Sequence, residues 1–190
     1  MVSYDREWLR DYFTNHWKGR SLHNYKYTGW NLIDEVSDDE HVLDVGCGEN
    51  PFKGNIKNVY GIDITDLGAD EVVAIEDFYS EKKFDVAFCL GSINFGDDDL
   101  INKQIATVVM HMKPESRIYW RCNPGRRDHD NDRVNDVPFY RWSRHLMGEY
   151  AKSFGYEIVH MMDDNDRLYF QWRRKKILSW VELEIQEAFL

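Results

Sequence analysis

The stretch Val42-Leu43-Asp44-Val45-Gly46-Cys47-Gly48-Glu49-Asn50-Pro51 decides how this chain is read. An apolar run meets a glycine turn with nothing between them. Valine and leucine around a single acid suit a buried strand. Gly46 and Gly48 lack a Cβ, so the backbone can bend sharply there and a ligand can approach it closely. Taken alone, the same pattern also describes an ordinary strand-to-helix turn.

The next apolar run, Tyr60-Gly61-Ile62-Asp63-Ile64, closes around an acid. Asp63 lies about 20 residues beyond Asp44, the spacing at which nucleoside-binding sheets hold ribose hydroxyls. A carboxylate suits a vicinal diol because it accepts two hydrogen bonds at once. The alternative is that Asp63 only begins a turn.

Working outward, apolar runs at 41–45, 59–64, 71–75, 84–90 and 117–122 read as strands rich in Val, Ile, Phe and Tyr. Residues 97–113 form the clearest helix between them. Three aspartates open it at the positive end of the helix dipole, and Lys113-Pro114 is expected to end it. A further helix is expected over 142–154, stopped by Gly155. Residues 156–161 and 167–172 then read as an antiparallel hairpin turning at 163–166. Ahead of the sheet, 5–17 has Trp8, Leu9, Tyr12, Phe13 and His16 at helical spacing, and 30–36 reads as a short second helix. Residues 177–190 read as an amphipathic helix through Ile177, Val181, Ile185 and Phe189. This alternation is α/β, with helices expected on both faces of the sheet.

The motifs together resemble those of the class I, Rossmann-like, S-adenosylmethionine-dependent methyltransferases. Residues 42–48 match the family's first motif and Asp63 its ribose-binding acid. Glu76-Asp77-Phe78 falls at the third-strand position. Residues 84–92 resemble the fourth-strand motif, 113–118 the turn into the fifth strand, and the hairpin the last two strands. The resemblance covers about residues 30–174. It implies a Rossmann-like three-layer sandwich on a mostly parallel seven-stranded sheet with an antiparallel last strand. One domain over 1–190 would divide into an N-terminal helical segment and loop (1–40), a sheet core (41–175) and a C-terminal helix (176–190).

It also implies roles around S-adenosylmethionine as cofactor. Gly46 and Gly48 would let the chain pass close to the methionine and ribose portions. Asp44 would orient the methionine amino group, and Asp63 with its neighbour Ile64 would sit at the ribose. Asp77 and Phe78 would meet the adenine, and Leu90 and Gly91 would lie near the sulfonium. Tyr25 and Tyr27 are placed either to close over the methionine end or to pack as loop aromatics. One departure is Asn50, where the family often has a third glycine; asparagine tolerates left-handed backbone better than most residues. Another is that Gly48 to Asn58 is short and poor in helix formers, so a truncated or irregular connection is expected there.

The 190 residues carry a net charge of −10, which disfavours nonspecific nucleic-acid binding. Charges throughout 1–17 argue against a signal peptide, and no apolar run approaches the roughly 18 residues of a membrane span. Cys47, Cys89 and Cys122 show no metal-ligand spacing, and a cytoplasmic protein without a metal is expected. Seven arginines between Arg117 and Arg144 face four aspartates, against the charge of the whole. Residues 123–138 follow the fifth strand, where ligands of open sheets bind. Arg126 and Arg127 are therefore candidates to hold an anionic acceptor; the alternative is solvated Arg–Asp pairing.

The expected function is methyl transfer to a small, anionic acceptor. A noncatalytic S-adenosylmethionine-binding regulatory module, or a methyltransferase acting on RNA or protein, are the alternatives. A nicotinamide-dependent oxidoreductase shares the glycine turn and the acid, but the missing third glycine and the terminal hairpin argue against it. Gly91-Ser92-Ile93-Asn94-Phe95 stands where amino-methylating nucleic-acid enzymes often carry Asn/Asp-Pro-Pro-aromatic.

Overall fold

The computed structural model describes residues 5–16, 29–124, 139–164 and 167–175. Seven strands form one sheet: β1 (Val42–Val45), β2 (Val59–Asp63), β3 (Glu71–Val72), β4 (Phe84–Leu90), β5 (Met112–Cys122), β6 (Tyr156–Asp164) and β7 (Arg167–Arg174). Their order is β3-β2-β1-β4-β5-β7-β6. The pairs among β1 to β5 are parallel, and β7 is antiparallel to both β5 and β6. This is the expected α/β sheet. The last strand inserts between β5 and β6 rather than extending the edge, so the hairpin delivers Trp172 and Phe170 to the core, 0% and 2% exposed.

Side chains alternate across each strand, which separates two cores. Leu43, Val45, Ala87, Cys89, Ile118 and Trp120 face one layer with α2 (Asp98–Met110) and α3 (Arg144–Ser153). Each helix starts on a side-chain cap: Asp97 accepts the Leu100 N–H at 3.0 Å, and Ser143 accepts that of Leu146 at 3.1 Å. Ile101, Ile105 and Val108 form the buried stripe of α2.

The opposite face carries Val42, Val86, Phe88 and Tyr119. Among the described residues no α-helix covers it. A 3-10 helix (Trp30–Glu35) and the irregular chain 46–58 do so, with Phe52 stacked on Trp30 and tilted against Phe88, ring centroids 6.1 and 5.0 Å apart. Two expectations meet here. The truncated connection is present, and no α-helix among the described residues lies on that face. Pro51, Gly54 and the asparagines 50, 55 and 58 favour turns over helix, and the inserted hydrophobes Phe52 and Ile56 help Trp30, Leu32 and Ile33 bury that face.

Several boundaries are corrected. Lys113-Pro114 does not end α2. The helix stops at Met110 on His111, whose buried ring contacts the Thr107 carbonyl at 2.7 Å and accepts the Ser80 N–H at 3.0 Å. β5 already begins at Met112, and the register jumps between its pairings with Phe84 and with Val86. Pro114 sits in that irregularity, where a missing N–H costs no ladder bond. β3 is two residues long and gives way to a 3-10 turn, Ile75–Asp77. The segment expected as helix over 5–17 is α1 (Arg6–Asp11) followed by a wider π-type turn, Tyr12–His16. Asp163 and Asp164, expected in a turn, extend β6. The expected helix over 177–190, most of the loop 123–138, and Tyr25, Tyr27, Arg126 and Arg127 lie outside the described residues.

Candidate functional site

β1, β2 and β4 end side by side, and the turn after β1 folds back over them. The N–H groups of Gly46 and Cys47 both reach the Ile62 carbonyl, at 2.8 and 3.1 Å. Gly46, Gly48 and Asn50 are all left-handed, with φ of 69°, 55° and 52°. Asn50 therefore replaces the third glycine conformationally, and its Nδ2 also donates to the Gly68 carbonyl at 3.1 Å and to Asp70 at 3.2 Å. The two glycines differ. A Cβ on Gly46 would lie 2.3 Å from the Ser92 Cβ, whereas one on Gly48 would meet nothing within 4 Å. Gly48 thus borders open space at the carboxyl end of the sheet.

Asp63 stands against that turn. Its Oδ2 accepts the Gly48 N–H at 2.9 Å, and its Oδ1 accepts the Thr65 N–H at 2.8 Å and the Thr65 hydroxyl at 2.7 Å. A carboxylate offers about four acceptor directions, so roughly one remains for a ligand. Asp44, on β1, is 4% exposed, and no described residue donates a hydrogen bond to it. Burial pushes its carboxyl up to about 8, and the charge of Asp63 adds to the shift. Burial likewise pushes the Cys47 thiol far up, which makes it inert.

This donor set fits the cofactor that the sequence resemblance implies. A buried acid without a partner, beside open backbone, is suited to an ammonium group. An acid clamped on the glycine turn is suited to a hydroxyl.

The third-strand residues are arranged differently. Asp77 takes an ion pair from Arg6 at 2.6 Å, with Lys103 at 3.7 Å. The Phe78 ring, 3% exposed, packs on His111 with centroids 4.7 Å apart, so it belongs to the core. Ile64 contributes its carbonyl, which accepts Arg10 Nε at 2.9 Å. Leu90 is half-buried against the second core, and Gly91 bends at φ 109°.

Sequence reasoning missed the N-terminal segment. Arg6 and Arg10 lie one turn apart on α1. Arg10 bonds the end of β2, and Arg6 bonds Glu76 (2.5 Å) and Asp77 after β3. Phe13 packs edge-on against Phe95 after β4, at 5.8 Å. One short segment therefore spans the carboxyl ends of three strands. The i, i+4 arginines were the available signal, but nothing local says which acids they meet. Three further residues were missed. Asp70 accepts the Gly61 N–H at 2.9 Å, and a Cβ on Gly61 would lie 2.7 Å from Asn50 Nδ2. A glycine inside a strand signals such close approach. Asn94 donates to the Gly91 carbonyl at 2.8 Å and accepts the Asn123 N–H at 2.9 Å, tying the loop after β4 to the end of β5. Among the described residues no three His, Cys, Asp or Glu side chains group as a metal site, and no helix is long and apolar enough to cross a membrane.

No protein-family model matches this chain, and no curated protein does. Solved structures do. The 1,6-didemethyltoxoflavin-N1-methyltransferase of Burkholderia thailandensis, solved with 1,6-didemethyltoxoflavin and S-adenosylhomocysteine, has a TM-score of 0.69 at 14% identity, covering 90% of this chain and 88% of that one. The magnesium protoporphyrin IX methyltransferase of Synechocystis PCC 6803, with bound SAM, has a TM-score of 0.66 at 15% identity, over 92% of this chain and 100% of that one. The N-methyltransferase NodS of Bradyrhizobium japonicum WM9, in complex with S-adenosylhomocysteine, has a TM-score of 0.65 at 13% identity, over 90% and 98%. The chain has the fold of the class I S-adenosylmethionine-dependent methyltransferases.

Proposed function

We propose that this chain is an S-adenosylmethionine-dependent methyltransferase acting on a small, anionic acceptor. The observation that carries the reading is the pair of acids at the glycine turn: Asp63 clamped on Gly48, and Asp44 buried behind it with no partner among the described residues. Gly46 and Gly48 would admit the cofactor's methionine and ribose portions, Asp44 its amino group, and Asp63 a ribose hydroxyl. Ile64 and Asp77 would border the adenine, Asp77 only after exchanging or sharing Arg6, and Phe78 would back that wall from the core. Leu90 and Gly91 would border the sulfonium, with Tyr27 over the methionine end and Arg126 and Arg127 toward the acceptor.

The cofactor, when bound, supplies an electrophilic methyl group. The protein's part is alignment and exclusion of water. The Asp63–Gly48 bond holds the turn in one shape before a ligand arrives, which lowers the ordering cost of binding. Three buried, unpaired thiols fit a reducing compartment such as the cytoplasm. The net charge of −10 favours a small molecule over nucleic acid as acceptor.

Thermal shift and methyl transfer test the reading. S-adenosylmethionine and S-adenosylhomocysteine should raise the melting temperature by linkage, while NAD and NADP should not. Stabilisation by NAD alone would overturn the assignment. Cofactor binding with no methyl transfer across a broad acceptor panel would favour the noncatalytic module.

A further inference from the structure

Arg121 is a half-buried arginine that has no counter-charge among the described residues. Arg6 meets Glu76 and Asp77, Arg117 meets Glu40, and Arg144 meets Asp163. Among the described residues the Arg121 side chain makes no ion pair or hydrogen bond, and its Nε is buried with no acceptor. Leaving a buried donor of a charged group unmatched is costly, and a guanidinium cannot escape by losing its proton. Folding alone does not explain an arginine there.

Its position is informative. Arg121 pairs in parallel register with Leu90 on β4 and antiparallel with Tyr169 on β7. It therefore stands at the carboxyl end of β5, where open sheets receive ligands. Its guanidinium lies beside the bend at Gly91; a Cβ at Gly91 would be 3.1 Å from Arg121 Nη1 and 3.9 Å from Asn94 Nδ2. Glycine at 91 thus keeps a gap next to an unpaired fork of donors. Asp44 lies two strands away, about 10 Å at the usual strand spacing. An amino group held at Asp44 carries its own carboxylate a few bonds off, a second anion from which the acceptor's must be told apart.

We propose that Arg121 holds a carboxylate of the methyl acceptor beside Gly91. The planar guanidinium matches a carboxylate with two parallel hydrogen bonds, a geometry that a lysine cannot copy. The proposal rests on the methyltransferase reading and narrows its acceptor to a carboxylic acid placed over β4 and β5. It also moves the acceptor's anchor from the loop arginines 126 and 127 to the sheet itself.

The probes are acetate and benzoate, each compared with its primary amide, added to the whole chain saturated with S-adenosylhomocysteine. Binding is followed by NMR titration. At least one of the acids should bind the wild type and its amide should not. Arg121→Gln should weaken that acid at least tenfold, and Arg121→Lys should restore only part. Affinity for S-adenosylhomocysteine, and its ratio to that for 5′-methylthioadenosine, should stay within twofold in both variants. Absence of acid binding, equal binding of acid and amide, or unchanged acid affinity in Arg121→Gln would overturn the proposal. So would collapse of the S-adenosylhomocysteine to 5′-methylthioadenosine ratio in Arg121→Gln, because the carboxylate held would then be the cofactor's own. Failure of wild type to bind S-adenosylhomocysteine is a separate result and removes the methyltransferase reading itself. Melting curves of both variants report whether they fold.

Discussion

The Asp63 carboxylate accepts the backbone N–H of Gly48 at 2.9 Å, so the acid that closes β2 also holds the turn that follows β1. Its other oxygen is taken by the Thr65 N–H and hydroxyl. Asp63→Ala should then act twice. Cofactor binding should weaken by about 1.5–3 kcal/mol, the scale of hydrogen bonds to a charged group, and the fold should lose stability as well. Thr65→Val removes only the hydroxyl bond and should leave cofactor affinity within about twofold, a change of less than about 0.5 kcal/mol. Calorimetry and melting curves on both variants separate the effects. Unchanged affinity in Asp63→Ala removes the ribose role.

Asp44 makes the free protein sensitive to pH. Its carboxyl is raised to about 8 from an ordinary value of 3.8, chiefly by burial. The folded chain therefore keeps a proton that the unfolded chain loses, and stability falls as pH rises between those values. Asp44→Asn should flatten that decline and gain most on wild type near pH 8. An arriving ammonium favours the ionised acid. Cofactor affinity should thus rise from about pH 6 to pH 8, with a proton released to buffer. Calorimetry in buffers of different ionisation enthalpy measures the release; none detected at pH 7 contradicts this role for Asp44.

Gly46 and Gly48 should fail in different ways when changed to alanine. Both incur the left-handed backbone cost of about 1–2 kcal/mol. Gly46→Ala adds a clash with Ser92 Cβ at 2.3 Å and should be the less stable variant. Gly48→Ala has room for its methyl group, so it should fold and lose cofactor affinity instead. Equal melting temperatures for the two variants would contradict the close approach of Gly46 to Ser92.

The N-terminal segment should control cofactor exchange. Arg6 is half-exposed, but the Glu76 side chain it pairs with is 1% exposed. Arg6→Ala strips that buried acid of its counter-charge and should cost about 1.5–3 kcal/mol. It should also speed S-adenosylhomocysteine release in stopped-flow measurements, because the segment crosses the ends of β2 to β4. Arg144→Ala breaks an exposed pair with Asp163 and should change stability by only about 0–1 kcal/mol. An unaltered release rate in Arg6→Ala would leave the segment a purely structural element.

Acid should loosen the other end of the sheet. Arg117 binds Glu40 through two contacts, at 2.5 and 2.9 Å, and also reaches the Glu35 carbonyl. These hydrogen bonds hold the Glu40 carboxyl down at about 2, against an ordinary 4.5. The lowered value means a contribution present above about pH 4.5 and lost as pH falls toward 2. Glu40→Gln should be less stable than wild type at pH 6 and lose less on going to pH 3. Parallel stability curves for the two proteins would show that the pair contributes nothing.

Much of this was legible in the sequence because it is local. Alternating apolar runs, the break at Gly46-Cys47-Gly48 and the acid at 63 depend on neighbours within a few residues, and so does Asn50 taking the left-handed turn. The α/β order, the glycine turn and the parallel-then-antiparallel plan followed from them. Period and spacing say nothing of which distant groups meet. Arg6 finds Asp77 across 71 positions, and Arg117 finds Glu40 across 77. The bulge that admits Pro114 into β5, the insertion of β7 beside β5, and the turning of Phe78 into the core are also outcomes of packing. So are the burial that raises the Asp44 carboxyl and the lack of a counter-charge at Arg121 among the described residues. The chain's local chemistry determined where a ligand turn could form; only the closing of the sheet decided which charges beside it are paired, because burial and counter-charge are properties of surroundings brought together from far along the chain.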